Sequence, residues 1–388
     1  MEPTPLLPDE EPSVKAIVRA ISVLLSAVLV TGAAKPAVED FPATVDGGAW
    51  PAGHVQGIAV DTENEVVYYS FTSMLVKTDL DGAVLGTVTG FTGHLGDLDF
   101  NEKDGRVYGS LEYKAAESFY IAIFDVDRIT GMDMDAETDG IVTAVYLDEV
   151  VQDFTADLDG NGVFDGDIAD TPDHRYGSSG IDGVSFGPAF GRKNGRQLLT
   201  VAYGVYSNTE RTDNDHQVLL QYDVTRRKKY EQPLTQAAPH TSGPATTDGK
   251  YFVHTGNTTY GVQNLNYDAF THTWLLGVYR GVKEHFPNYS LYAVDGSSRP
   301  VRGIIEGQRS REEGLLLPLL QQGLHHEPTG IRGWNFTADV GLESLGNGYF
   351  YIATQGRVVD DGVTKQTAVL DLYRWTGAPS SPFELVVR

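Results

Sequence analysis

Short apolar runs recur along this chain, and polar turn residues separate them. Runs of this length that are rich in Val, Ile, Leu, Tyr and Phe between such turns are typical of β-strands. The first is His54–Asp61 (His-Val-Gln-Gly-Ile-Ala-Val-Asp), which has a polar start and a hydrophobic end. Four later stretches repeat this order: His94–Asn101, Gly180–Gly187, Gly261–Asp268 and Asp339–Gly346.

Two further strands are predicted after each of the five stretches. The second strands are Val66–Phe71, Arg106–Leu111, Gln197–Tyr203, Trp274–Tyr279 and Tyr349–Thr354. The third strands are Leu75–Leu80, Phe119–Val126, Gln217–Val224, Ser290–Gly296 and Ala368–Trp375. Recurring units of consecutive strands are typical of β-propellers, whose blades stack around an axis. The sequence therefore predicts an all-β, five-bladed β-propeller, with a sixth blade at the run Lys250–Gly256 as the alternative.

The composition supports one propeller domain over residues 35–388. The chain has 388 residues with 43 Gly and 20 Tyr, and closed repeat folds of this length form single domains. Dipeptides such as Asp81-Gly82 and Asn347-Gly348 lie between apolar runs, where hairpin turns need them. One soluble helix is predicted at Arg311–Gln322, where leucines repeat at helical spacing.

Residues 1–34 are predicted to be a cleaved signal peptide. The apolar run Ala20–Thr31 follows Lys15 and Arg19 and precedes the small residues Gly32-Ala33-Ala34, as signal peptidase requires. The run is shorter than the roughly 20 residues that span a bilayer. We therefore expect a secreted protein with no membrane attachment after cleavage. The chain has no Cys, so disulfide bonds give no independent evidence for an oxidising compartment.

The formal charge of −24 argues against a nucleic-acid partner, because phosphate binding needs a basic face. The basic run Arg226–Lys229 is interpreted as a solvated turn. An acidic surface favours metal cations instead.

A calcium loop is predicted in the acidic insert Gln152–His174, between blades two and three. Oxygen ligands at positions one, three and five, Gly at six and Asp at nine match the first part of such a loop. The segment resembles EF-hand and dockerin loops, but Ile168 stands where the twelfth-position acid is expected. The resemblance implies a structural Ca²⁺ held by the following residues: Asp157, Asp159, Asn161, Val163 through its carbonyl, and Asp165. A solvated acidic turn is the alternative.

The polar residues that start the five inner strands are the candidate functional residues, because inner strands line a propeller's central channel. Convergent acids permit general acid and base catalysis, whereas His, Gln and Asn bind hydroxyl groups. The predicted catalytic residues are His54, His94, Asp97, Asp182 and Glu343. The predicted substrate-binding residues are Gln56, Tyr113, Tyr203, Gln263, Asn264, Trp334 and Asp339. The alternative is that these polar groups only connect blades through buried hydrogen bonds.

Three segments, His54–Tyr113, Tyr203–Asp223 and Tyr251–Asp268, resemble a family of secreted bacterial propeller proteins, most of which have no assigned role. The five-bladed architecture is also similar to that of arabinanase-like and invertase-like glycoside hydrolases, which place three acids on inner strands. Their local motifs are absent here, so no catalytic residue is carried over. A second similar group, propeller enzymes that cleave rhamnosyl-glucuronate linkages, would emphasise His54 and His94.

The sequence thus favours a secreted glycoside hydrolase that acts on an extracellular polysaccharide or oligosaccharide at the channel. A polysaccharide lyase that uses histidine is the second possibility, and a calcium-stabilised propeller that only binds a glycan or a protein is the third. Serine nucleophile elbows, zinc motifs and dinucleotide-binding loops are absent from the sequence.

Overall fold

The five repeated stretches form the innermost strands of five antiparallel sheets in the computed structural model, which describes residues 37–388. These inner strands are Val55–Asp61, His94–Asn101, Ser178–Pro188, Thr259–Asp268 and Leu342–Gly346. Each inner strand contacts the next, and the fifth contacts the first. The fold is a five-bladed β-propeller, as predicted. The predicted signal peptide lies outside the described residues.

Blades one and two are built from consecutive strands. Blade one continues with Val66–Phe71, Met74–Asp79 and Val84–Thr89, and Met134–Asp135 pairs in parallel at its outer edge. Blade two continues with Arg106–Tyr113, Ser118–Phe124 and Val142–Tyr146, and Gln232–Pro233 pairs at its outer edge. Aromatic and aliphatic side chains of facing sheets, such as Tyr68 and Leu98, fill the space between these two blades.

Blades three and four carry the longest connections. Blade three continues with Gln197–Val205, His216–Tyr222, Gly249–His254, Glu313–Leu316 and Val301–Ile304. Blade four continues with Thr273–Tyr279 and Leu291–Asp295, beside the hairpin formed by Leu324–His326 and Ile331–Gly333. Two short helices, Asp148–Phe154 and Val224–Arg227, lie in connections. Single 3-10 turns are Val38–Asp40, Lys114–Ala116, Val126–Arg128, Arg175–Gly177 and Lys228–Tyr230. Within residues 37–388, no helix has the length and apolar character needed to cross a membrane.

Two predictions about this region are wrong. The run Lys250–Gly256 does not start a sixth blade, because Gly249–His254 pairs with His216–Tyr222 as the fourth strand of blade three. The helix predicted at Arg311–Gln322 is a strand, Glu313–Leu316, followed by irregular chain. Pro318 cannot donate a helical hydrogen bond, and the strand's backbone groups pair with Val301–Ile304 instead.

Glycines let the inner strands approach one another closely at the axis. A Cβ on Gly57 of blade one would lie 2.6 Å from the Asp97 Cα of blade two, and a Cβ on Gly183 of blade three would lie 3.0 Å from the Leu265 Cβ of blade four. No side chain fits into such spacing without moving the backbone. The small residues of the repeated stretches therefore determine how narrow the channel is.

The ring is closed by the N-terminal strand of the propeller. Blade five consists of Leu342–Gly346, Tyr349–Asp360 and Val363–Trp375, with Phe383–Leu385 at its edge, and its outer strand is Thr44–Trp50. Residues from both ends of the chain thus share one sheet. Val45 is buried there beside core residues of blades five and one.

We expect Val45→Ala to destabilise the whole propeller by about 2 kcal/mol, because it removes buried methyl groups from the closing strand. The matched control is Val387→Ala, since Val387 is exposed and should be neutral. Urea unfolding followed by tryptophan fluorescence measures both. Equal unfolding midpoints for the two variants would contradict closure through this strand.

Candidate active site at the channel mouth

A group of polar and titratable side chains surrounds one end of the channel, where the inner strands begin. We call this end the mouth. Second strands run antiparallel to inner strands, so they finish at the mouth: Glu112, near the end of Arg106–Tyr113, pairs with His94. The mouth cluster consists of His54, His94, Glu112, Lys114, Asp182, Gln263, Tyr279 and Asp339.

His94 lies between two carboxylates. Its Nδ1 is 3.5 Å from Glu112 Oε2 and 4.0 Å from Asp182 Oδ1, and its side chain is 33% exposed. Burial by itself lowers the pKa of His94, but Glu112 and Asp182 outweigh burial and raise it above the usual value. His94 can therefore carry a proton near neutral pH while remaining accessible to a ligand.

Asp182 is the acidic partner in this arrangement. Burial raises the pKa of Asp182 to about 7, although His94 beside it acts in the opposite direction. Gln263 Nε2 donates to Asp182 Oδ2 over 3.0 Å and to the Tyr260 carbonyl over 2.8 Å. Asp182, with a pKa raised into the neutral range, thus lies 4.0 Å from the His94 imidazole, whose pKa is also raised. Neighbouring groups with perturbed pKa values are typical of sites that transfer protons in catalysis.

Glu112 and Lys114 complete this side of the mouth. Glu112 Oε1 accepts the backbone N–H of Ile181 over 2.5 Å, and Glu112 Oε2 lies 3.6 Å from Lys114 Nζ. Burial lowers the pKa of Lys114, but the carboxylates of Glu112, Asp167 and Asp182 raise it overall. The Glu112 carboxylate therefore contacts two basic side chains, those of His94 and Lys114, and also the backbone of blade three.

The other side of the mouth contains His54 and Asp339. Burial, and then His94, lowers the pKa of His54, which keeps this ring neutral. Gln56, two residues further on, donates to Thr72 Oγ1 over 3.1 Å. Burial raises the pKa of Asp339 to about 6. Burial and the charges of Asp339 and Asp182 raise the pKa of Tyr279, so this phenol stays neutral between two acids.

Below the mouth, the channel is filled by hydrogen bonds between blades. Asp97 is 1% exposed, and its Oδ2 accepts the backbone N–H groups of Val184 at 3.0 Å and Leu265 at 2.9 Å. Its Oδ1 accepts Asn264 Nδ2, which also donates to the Gln56 carbonyl. One carboxylate thus joins blades two, three and four, and Asn264 adds blade one. Burial raises the pKa of Asp97 well above its usual value.

Glu343 lies deeper in the same channel. It is buried, and its Oε2 accepts Asn266 Nδ2 over 2.9 Å. Burial, and then Asp99 and Asp97, raises the pKa of Glu343 well above its usual value. Asp97, Asn264 and Glu343 therefore occupy positions that connect blades, which is the alternative role that the sequence offered.

The structure places the three predicted aromatic ligands away from the mouth's surface. Tyr203 and Trp334 are 0% and 1% exposed. The Tyr203 hydroxyl donates to Asp153, and Trp334 Nε1 donates to the Ala378 carbonyl. Tyr113 is buried and donates to Gln236. Tyr260, at the start of the fourth inner strand, is instead 51% exposed.

The acidic insert borders the mouth. The Asp167 carboxylate of the insert interacts electrostatically with Lys114 of the mouth cluster, and it accepts a hydrogen bond from Tyr206. Carboxylate oxygens of Asp157, Asp159 and Asp173 lie within 4.8 Å of one another, close enough to share a cation. The backbone N–H of Asp165 donates to Asp173 Oδ2 over 3.1 Å, and the Asp165 carboxylate accepts the Thr171 hydroxyl.

Sequence reasoning missed Glu112, Lys114, Asp173 and Tyr279. The first two lie at the end of a second strand, and the antiparallel register was the signal that could have placed them at the mouth. Asp173 reaches the acidic cluster through the path of the loop, which no spacing rule describes.

Comparisons with known proteins identify no family for this chain. No protein-family model matches the sequence, and no curated protein sequence does. Among solved structures, Sqt1 of Saccharomyces cerevisiae is 12% identical with a TM-score of 0.30, and the match covers 80% of this chain and 56% of that one. The chain thus spans little more than half the length of Sqt1. The computationally designed protein Ika4 is 13% identical with a TM-score of 0.21 over 58% of this chain and 86% of that one.

We expect Asp97→Asn and Glu343→Gln to have opposite effects on stability. In Asp97→Asn, an NH₂ group replaces one of the two accepting oxygens. It must then face a donor from Val184, Leu265 or Asn264, which should lower the free energy of unfolding by about 1–3 kcal/mol. Gln at 343 still offers an oxygen to Asn266. It also removes a group whose folded pKa is raised, so the folded state no longer has to bury a negative charge as the pH rises.

The stability gained by Glu343→Gln should therefore be small near pH 4.5 and grow as the pH rises to 8. Thermal unfolding across this range, with the exposed Glu384→Gln as the matched control, measures the difference. A Glu343→Gln variant that loses stability at pH 8 would contradict this description of the channel.

Proposed function

We propose that this protein is a carbohydrate-active enzyme, a glycoside hydrolase whose catalytic groups are at the channel mouth. The observation that carries the proposal is the pairing of His94, whose side chain is partly exposed, with Asp182: His94 Nδ1 lies 4.0 Å from Asp182 Oδ1, and the pKa of each group is raised above its ordinary value. The fold is compatible with a propeller enzyme and with a propeller binding protein. The preference for an enzyme therefore depends on the chemistry of His94 and Asp182.

In the proposed reaction, protonated Asp182 is the general acid that gives its proton to the leaving glycosidic oxygen. A buried carboxyl group with a raised pKa suits that role. Asp339, with a pKa of about 6, is ionised above that pH and would activate the attacking water. His94 would restore the proton on Asp182, and Tyr279 between the two acids would bind a sugar hydroxyl.

Three further side chains support a sugar as the ligand. The exposed ring of Tyr260 offers an apolar face on which a sugar can stack. Gln263 and His54 supply the polar atoms that bind hydroxyl groups. Tyr260 has a φ of 61°, a left-handed backbone conformation that costs energy for a non-glycine residue. Such strain is expected where a side chain is positioned for binding.

We expect Asp182→Asn and His94→Ala each to lower kcat/KM by about 10²–10⁴-fold, the usual contribution of a general acid or base. Because Asp182 must be protonated, activity in the parent protein should fall as the pH rises through about 7. A panel of plant, algal and bacterial polysaccharides, read by reducing ends and by absorbance of unsaturated products, identifies the substrate.

The matched controls are Asp361→Asn at an exposed hairpin turn and His325→Ala on blade four's flank. These should keep full activity, and all four variants should melt within a few degrees of the parent. Unsaturated products would favour the lyase alternative with histidine as the base. Loss of activity in step with melting temperature, or no turnover of any polysaccharide, would contradict the enzyme proposal.

A non-catalytic propeller that binds a glycan or a protein is the second candidate. It is favoured by the buried bonds of Asp97, Asn264 and Glu343, which use three of the predicted site residues to connect blades. In that case Tyr260→Ala would weaken glycan binding while the parent protein showed no turnover.

We also propose that the insert binds a structural Ca²⁺. Carboxylate oxygens are the ligands that Ca²⁺ prefers, and Asp157, Asp159 and Asp173 bring three together, with Asn161, the Val163 carbonyl and Asp165 available from the predicted loop. The cation would neutralise the mutual repulsion of these acids. Arg211 supports this position, because its guanidinium donates to the carbonyls of Thr171, Asp173 and His174. The ion would thus hold the insert beside the mouth and take no part in the chemistry.

Excess chelator is therefore expected to lower the melting temperature by several degrees, and calcium to restore it. In Asp159→Asn, a weaker site should require more calcium for the same stabilisation. Asp361→Asn serves as the control, because its calcium dependence should match the parent's. Identical melting curves with calcium and with chelator would show a solvated turn.

A further inference from the structure

A concentration of positive charge lies on the face of the propeller opposite the mouth. Two connections of blade three, residues 189–196 and 223–231, finish there, because the inner and third strands run away from the mouth. They hold seven of the chain's 29 Lys and Arg residues, although the net charge is −24. These residues are Arg192, Lys193, Arg196, Arg226, Arg227, Lys228 and Lys229.

Contacts that the sequence does not reveal bring the two connections together. Arg196 of the first and Arg226 of the second both contact the buried carboxylate of Asp223, the latter through Nε at 2.9 Å. Gly191 donates its N–H to the Gly296 carbonyl of blade four over 2.9 Å. This contact brings Arg299 beside Gly191. The surface therefore extends across two blades.

This surface is concave. One depression of about 340 Å³ is lined by Arg192, Arg196, Arg226 and Asp248. A second, of about 400 Å³, is lined by Arg192, Arg299 and Tyr251. Arg192 lines both depressions, which therefore adjoin, and we call the two together the arginine groove. Each volume lies within the range of about 300–1,000 Å³ that is usual for small-ligand sites.

The groove has more positive charge than its own acids neutralise. Asp223 and Asp248 pair with Arg226, and Asp223 also pairs with Arg196. Within residues 37–388, Arg192 and Arg299 have no ion-pair partner and are exposed. At physiological salt, charges more than about 8 Å away are largely screened, so the acidic remainder of the protein does not cancel this local excess.

The lining favours one class of anion. Guanidinium groups bind carboxylate and sulfate groups through paired hydrogen bonds, and the ring of Tyr251 offers a surface on which a sugar can stack. Val301, two residues from Arg299, is exposed, but within the described chain no exposed large hydrophobic residue falls in residues 189–196 or 223–231. The part of the surface that blade three forms therefore has no exposed large apolar group to insert into a membrane. A nucleic acid requires a continuous basic face, whereas Asp223 and Asp248 pair with Arg196, Arg226 and Arg227 within this surface.

We propose that the arginine groove binds a short segment of an acidic polysaccharide, whose carboxylate or sulfate groups pair with Arg192, Arg196, Arg226 and Arg299. This site is separate from the mouth. Its test is a binding measurement, so it does not depend on the proposed catalysis.

The test is calorimetric titration of the full chain with dextran sulfate, polygalacturonate and uncharged dextran at low and high salt. We expect binding of the two charged polymers, weakening with salt, and no binding of dextran. Arg192→Gln and Arg299→Gln should each weaken binding about tenfold, the loss expected for one charge-assisted contact. Both side chains are exposed, so melting temperatures should be unchanged.

Arg357→Gln, on the exposed hairpin of blade five, changes the net charge equally and should bind as the parent does. Equal weakening by Arg357→Gln would show a general charge effect and overturn the site. Binding of uncharged dextran with the same affinity, or no binding of either charged polymer at low salt, would also overturn it. Tighter binding of single-stranded DNA or of anionic lipid vesicles through the same arginines would overturn the assignment to a polysaccharide.

Discussion

The buried carboxylate of Asp97 is the interaction on which the centre of this propeller depends. Five inner strands meet at one axis, and their polar groups are there withdrawn from water. Asp97 accepts bonds from blades three and four, and Asn264 extends this connection to blade one. Burying a carboxylate is costly unless donors surround it, and three donors do so here. The relative positions of four blades therefore follow from one small network.

The mouth depends on this network for its geometry. His94 and Asp97 are on the same inner strand, and Asp182 and Val184 are on the next. The bonds of Asp97 to blade three therefore fix the separation between His94 and Asp182 a few residues above. The same low-polarity surroundings raise the pKa of Asp182 to about 7. The burial of polar groups at the axis thus affects both the stability of the propeller and the pKa values at the mouth. The residues that connect blades are nevertheless different from those that face a ligand.

The fold could be predicted from the sequence because a propeller repeats its inner-strand pattern. The polar start and apolar end of His54–Asp61 recur in all five inner strands. The helix predicted at Arg311–Gln322 was wrong because leucine spacing outweighed Gly314 and Pro318, which belong to a strand and its end. Inner-strand candidates such as His94 and Asp182 were identified by position. Glu112 and Tyr279 could not be, since they depend on which ends of neighbouring strands share a face.

Nor could the sequence separate Asp97 from Asp182, although both are acids on inner strands. Asp97 accepts hydrogen bonds from blades three and four, whereas Asp182 lies beside His94 at the mouth, although both residues lie where the register of their strands is irregular. The arginine groove was invisible for a similar reason. In the sequence, the basic run Arg226–Lys229 is typical of a solvated turn. Only the fold shows that the connection containing Arg192 and Arg196 lies beside it.

The central claim is that the His94 imidazole and the Asp182 carboxyl group interact electrostatically and that the pKa of each is raised. An NMR titration of the His94 imidazole, assigned by its loss in His94→Gln, tests this most directly. The account predicts that His94 titrates above its ordinary pKa of 6.5, senses a second titration near pH 7, and moves to a lower pKa in Asp182→Asn. A His94 ring that titrates at or below 6.5 and does not respond to Asp182→Asn would contradict it.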